Sequence, residues 1–128
     1  ENGTITRNSA DLFRFFVHSG GSSLTLNNIT LSNGNPQWDG GAIWGLGSTT
    51  LIINNSRIIG NSGVFGGAIF VPSTGTAVIT NTLLSGNRAS SPGGAIRTRG
   101  NLTLNNSTIA GNFTTAGTEG GGGIANNS

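Results

Sequence analysis

The sequence has no cysteine, no methionine, no tyrosine and no lysine. Without cysteine it can build neither a disulfide scaffold nor a thiolate metal site. Charged residues make up only 8% of the chain, against roughly 25% in an ordinary soluble domain. A helical bundle is excluded, because its exposed faces need Ala, Glu, Lys and Gln. All six basic residues are arginine and the net charge is +2, too little for the broad basic face of a nucleic-acid binder. No apolar run approaches the roughly 18 residues of a membrane-spanning helix, so membrane insertion is not expected.

What is present is small and polar. Gly, Asn, Thr and Ser together supply 70 of the 128 residues. Such a composition normally suggests a disordered linker, but here the apolar residues, 34% of the chain, recur in register. Four segments align without gaps: LTLNNITLSNG at 24–34, LIINNSRIIGN at 51–61, AVITNTLLSGN at 77–87 and LTLNNSTIAGN at 102–112. Their starts are 27, 26 and 25 residues apart. A second anchor follows each segment: GGAI at 40–43, 66–69 and 93–96, then GGGI at 121–124. Two anchors sharing one period identify a repeat protein.

Within each repeat the apolar positions alternate, as in Leu24-Thr25-Leu26 and Leu102-Thr103-Leu104, the mark of a half-buried strand. A further apolar position (Leu31, Ile58, Leu84, Ile109) follows an Asn corner, and the anchor Ile follows a Gly-rich loop. A unit this small cannot bury its own apolar side, but successive units can by coiling and pairing turn upon turn. The chain is therefore expected to be all-β: a single right-handed, three-sided parallel β-helix (β-solenoid) of about five rungs, ~26 residues each and ~4.8 Å apart. Residues 24–49, 50–76, 77–100 and 101–128 are the repeats of this one domain, and 1–23 form an irregular first rung. In that rung ENGTITRNS is set against GNLTLNNS, and RFFVHSGGS supplies a strand through Phe13, Phe15 and Val17 or through its complement.

Asn28, Asn55, Asn81 and Asn106 align. They are expected to stack at one corner, where Asn tolerates a left-handed backbone and its side chains can bond along the ladder. Asn61, Asn87 and Asn112, each preceded by Gly, are expected to repeat this at a second corner; the order is inverted at Asn33-Gly34.

The pattern LTLNNSTIAGN, then a loop, then GGGI resembles the repeats of large bacterial surface and secreted proteins with right-handed parallel β-helix folds. GGAI also resembles one half of the GGA[I/L/V] plus FxxN repeat of chlamydial polymorphic outer-membrane adhesins, although FxxN does not occur here. The resemblance covers residues 24–128 and implies an extracellular or cell-surface protein. Such repeats serve as spacers, adhesins and stalks.

The residues of reactive chemistry are sparse. The carboxylates are Glu1, Asp11, Asp39 and Glu119. Asp39 and Glu119 both precede a Gly-Gly anchor but lie three rungs apart, or ~14 Å, whereas glycosidase pairs need roughly 5–9.5 Å. No acidic cluster suits calcium. His18, the single histidine, has no acid or thiol nearby in sequence to make a triad. The glycine pairs precede strands rather than helices, so they are not phosphate cradles. No catalytic residue, metal or cofactor is expected, and a polysaccharide-active enzyme is the weakest of the readings.

Two groups of candidate contact residues remain. Trp38, Trp44, Phe65 and Phe70 lie in or just after the loops of adjacent rungs, and Trp44, Phe70 and Arg97 share the position after the anchor Ile. With that Ile inward, the three side chains are expected to face outward in one exposed row, suited to sugar rings or a neighbouring subunit. The second group lies at the ends. The final repeat runs only through Ile124, Ala125, Asn126, Asn127 and Ser128. A second copy's Glu1, Asn2, Gly3, Thr4 and Ile5 would supply about the missing length and a T-I-T strand, which predicts head-to-tail stacking. The leading expectation is an extracellular structural β-solenoid, either a self-assembling filament subunit or a segment of a surface stalk. The alternative is an adhesin or carbohydrate-binding module that engages a glycan or surface receptor through the aromatic row.

Overall fold

Alternation sets the strands. A computed structural model describes residues 2–115, 117 and 120–127, so Glu1, Glu119 and Ser128 lie outside the described residues. The first turn holds β1 (Gly3–Thr6) and β2 (Phe16–Ser19), and the second β3 (Ser23–Asn27), β4 (Ile29–Ser32) and β5 (Ile43–Leu46). The third holds β6 (Thr50–Asn54), β7 (Arg57–Ile59), β8 (Ser62–Gly63) and β9 (Ile69–Val71). The fourth repeats this as β10 (Thr76–Thr80), β11 (Leu83–Ser85), β12 (Arg88–Ala89) and β13 (Ile96–Thr98). The fifth is β14 (Asn101–Asn105), β15 (Thr108–Ala110), β16 (Phe113–Thr114) and β17 (Ile124–Asn126).

Each strand pairs in parallel with its equivalent one turn away. Sheet A runs β1-β4-β7-β11-β15, sheet B β2-β5-β9-β13-β17, and sheet C β3-β6-β10-β14. The chain is thus a parallel β-solenoid of about five turns. A fourth sheet, D, joins the three expected ones and runs β8-β12-β16. Its strands are two residues long and carry no apolar alternation, which is why the hydrophobic pattern does not reveal them.

The core is made of columns. Ile53 and Ile79 pair in register and are fully buried, as are Ile69 and Ile96 of sheet B and Ile58 and Leu84 of sheet A. Leu26 and Ile43 close the same columns at the second turn, both buried. In sheet C the pairs Leu51–Ala77 and Ile53–Ile79 point inward and Ile52 and Val78 outward, as period two requires.

The two asparagine corners divide the labour. Asn28, Asn55, Asn81 and Asn106 all take positive φ, between 45° and 54°. The exposed side chains of the last three bond in series, Asn106 Nδ2 to Asn81 Oδ1 at 2.6 Å and Asn81 Nδ2 to Asn55 Oδ1 at 3.1 Å, while one turn earlier the bond is made by the preceding residues, Asn54 Nδ2 to Asn27 Oδ1 at 2.9 Å. At the second corner the left-handed residue is the glycine instead, with φ of 63°, 61° and 62° at Gly60, Gly86 and Gly111. The following asparagine is thereby free to turn inward. Asn87 Oδ1 accepts both the Asn61 backbone N–H (2.9 Å) and Asn61 Nδ2 (3.0 Å), and Asn87 Nδ2 donates to the Ile58 carbonyl (2.9 Å). Asn112 receives Asn87 in the same way at 2.9 Å. At the second turn the inversion keeps the geometry: Asn33 takes φ 66°, and Gly34 N–H donates to Asn61 Oδ1 at 2.8 Å.

The glycine pair of the three GGAI anchors has two causes. Gly40, Gly66 and Gly93 hold positive φ. The second glycine lies under the next turn: a Cβ on Gly67 would stand 2.1 Å from the Gly94 carbonyl oxygen, and one on Gly41 2.0 Å from that of Gly67. Only hydrogen fits.

The first turn departs from its expected register. Gly3–Thr6 pairs with Ile29–Ser32, so Ile5 stacks on Leu31 in sheet A, not with the LTL strands of sheet C. Phe16, the complement of the Phe13–Phe15–Val17 set, stacks on Ile43. Sheet C consequently begins one turn later than sheets A and B.

Candidate functional site

Parallel register brings Val17, Trp44, Phe70, Arg97 and Ala125 into one column on sheet B. The column exists as expected, but it is not an exposed row. Trp44 is half-buried, and Phe70 and Arg97 keep only 8% and 6% of their surface. Large side chains one rung apart, at about 4.8 Å, cover one another. Flanking residues then close over them. The Arg14 guanidinium lies 4.5 Å from the Trp44 ring, that of Arg97 5.4 Å from Phe65, and that of Arg99 5.8 Å from Phe70. Each is a cation–π stack. The sequence gives no sign of Arg14 or Arg99 in this role, because neither lies next to its ring in the chain. Phe65 is itself half-buried, while Trp38 is 68% exposed. Trp38 borders a hollow of about 400 Å³ near the first turn, with Leu12, Phe13, Arg14 and Pro36.

Charge on this face is unevenly satisfied. Burial lowers the Arg14 pKa, and the Asp39 carboxylate opposes that shift. Burial also lowers Arg97, with the like charge of Arg99 adding to it and Asp39 again opposing. Both remain cations, given arginine's starting value. Asp39 Oδ1 accepts the Phe65 N–H at 3.2 Å, tying the acid to the loop that carries the ring. Arg14 Nη1 and Arg97 Nε are buried without an acceptor. Arg97 and Phe65 also border an open cleft of about 620 Å³, whose other wall includes Ser91, Ala125, Asn126 and Asn127.

The other candidates lie at the rod's ends. Asn2, Gly3, Thr4 and Ile5 are exposed, and so are Asn126 and Asn127, whereas Ala125 is buried and Ile124 half-buried. Glu1 and Ser128 lie outside the described residues. Thr108 N–H donates back to Thr82 O and Gly86 N–H to Ala110 O, so strand alternation turns the Ile109 amide toward the open side of β15. By the same alternation, Gly3 N–H bonds to Asn28 O and Arg7 N–H to Ser32 O, leaving the Thr4 and Thr6 amides facing outward. His18 Nε2 donates to the Ser22 carbonyl at 3.0 Å, a turn contact. Among the described residues no group of three or more His, Cys, Asp or Glu converges as a metal site. No helix there is long and apolar enough to cross a membrane.

A third ladder was not anticipated. Ser56 N–H donates to Thr82 Oγ1 (3.3 Å), and Thr82 N–H to Ser107 Oγ (3.2 Å). Its signal was available, since a hydroxyl residue follows the corner asparagine in three of the four repeats.

The fold defines the class: a parallel β-solenoid repeat protein. Compared with protein-family models, curated proteins and solved structures, the chain matches none.

Proposed function

We propose that this chain is a structural β-solenoid of the extracellular space or cell surface, acting as a filament subunit or as a segment of a stalk. The observation that carries the reading is the shared register of the first and last described turns. The sheet A column runs Ile5, Leu31, Ile58, Leu84, Ile109, and a second copy set with its β1 on β15 continues it with Ile5 above Ile109. In sheet B the same placement sets Phe16 above Ile124. Such a head-to-tail contact does not close on itself, and it propagates a fibre. Because β1 belongs to sheet A, the second copy leaves β14 with one free edge. In the stalk form a further LTL-type strand covers it. The surface-protein resemblance of the repeat and the absence of oxidisable Cys and Met support an exposed setting.

Electron microscopy of the purified chain at neutral pH tests the filament form. Filaments are expected, and deletion of residues 1–8 is expected to abolish them while the later turns stay folded. A chain that stays monomeric at high concentration, or a truncated one that still polymerises, contradicts it. A second reading, a carbohydrate-binding module, is favoured by the cleft beside Arg97, where an aromatic ring and a cation without an acceptor meet.

A further inference from the structure

Arg97 combines burial, fixed orientation and an unmet bond. Its side chain is 94% buried, being 6% exposed, and stacks on Phe65 at 5.4 Å. Its Nε has no acceptor. A buried N–H left without an acceptor is unfavourable, and an arginine fork is met best by a carboxylate accepting two parallel bonds. The space for such a group is present. Trp44, Phe70 and Arg97 fill their column, but the next turn has only Ala125, and the cleft of about 620 Å³ opens beside it.

We propose that this cleft binds the carboxylate of an acidic sugar, with Arg97 as the anion contact and Phe65 holding the guanidinium plane. The carboxylate meets the guanidinium where Arg97 borders the cleft, and the buried Nε–H reports on it from behind. Among the described residues the remaining lining is uncharged and includes the hydrogen-bonding Ser91, Asn126 and Asn127, which suits hydroxyls. Among the described residues one arginine borders the cleft, and the chain has no lysine, so a polyphosphate is poorly matched. The inference rests on the carbohydrate-binding reading and gives it a location; it is independent of filament formation.

The test follows the Arg97 Nε–H signal by proton–nitrogen NMR during titration with a galacturonic acid trimer, the neutral galactose trimer, and acetate. Arg97→Lys identifies the signal by removing it. The acidic trimer is expected to shift it saturably, the neutral trimer to leave it in place, and acetate to act only at far higher concentration. Binding of the acidic trimer should weaken about tenfold or more in Arg97→Lys, the scale of one lost charge-assisted bond. Ala125→Phe, which places a ring where the column already holds Trp44 and Phe70, should block binding with Arg97 intact. Arg88→Gln, at an exposed arginine on sheet D, should change nothing. An Arg97 signal unmoved by the acidic trimer overturns the site, and so does acetate matching the trimer. Trimer binding that moves only the tryptophan signals overturns this site while leaving the carbohydrate reading standing.

Discussion

The middle and the ends of this rod are built from the same residues and have different fates. Ile53 and Ile79 have no exposed surface, while Leu104, the next member of that column, is 36% exposed. Ile58 and Leu84 are fully buried, while Ile5 in the same column is 41% exposed. Nothing in the strand distinguishes these residues; what differs is whether a turn lies on both sides. In a solenoid, burial is conferred by the neighbour above and below rather than by the segment itself. An end turn therefore keeps both apolar surface and backbone groups available for another turn.

Core truncation should break this comparison most strongly. Ile79→Ala is expected to destabilise the rod by about 2–5 kcal/mol, the usual loss for a buried aliphatic. Leu104→Ala, the same deletion at the edge, should lose about 1 kcal/mol or less. Urea unfolding of the two variants measures the contrast, and equal losses would mean that the fifth turn is as well packed as the fourth.

The two asparagine ladders sharpen it. Asn87→Ala strips acceptors from the Asn61 N–H and Nδ2 and a donor from the Ile58 carbonyl, all in a dry interior. Unsatisfied buried groups of this kind cost about 1–3 kcal/mol each, so even at the low end for all three a loss of about 3 kcal/mol is expected. Asn81→Gly keeps the left-handed corner and leaves its ladder partners to water, for a change within about 1 kcal/mol. The hydroxyl ladder should show a smaller effect than the buried asparagine ladder. Thr82→Val removes the acceptor of the Ser56 N–H at nearly constant volume, for about 1 kcal/mol. Ser107→Ala, in the final turn, should lose less.

What repeats was readable in the sequence, because a repeat states the same physical constraint several times. The corner asparagines with positive φ, the inward columns and the anchor glycines all followed from alignment of the four segments. The second corner was only half legible: the ladder position was visible, but not that Gly60, Gly86 and Gly111 take the strained backbone so that Asn can face inward. The first turn, present once, was misread by one sheet, since T-I-T alternates equally well in sheet A or sheet C. Burial of Phe70 and Arg97 was hidden for another reason. Their covers, Arg99 and Phe65, come from a strand end and a loop whose paths no local pattern specifies. Thr4 and Ile5 remain surface residues, in a different sheet from the one expected.

Hydrogen exchange of the edge amides, followed against protein concentration, tests most directly whether open turns are completed by a second copy. In dilute solution the Ile109, Thr4 and Thr6 amides should exchange far faster than those of Ile58 and Leu84. As concentration rises, protection of Ile109 and of Thr4 and Thr6 should increase together, with Ile58 and Leu84 unchanged. Edge amides already protected in the dilute monomer, or protection independent of concentration up to the solubility limit, would contradict end-to-end completion.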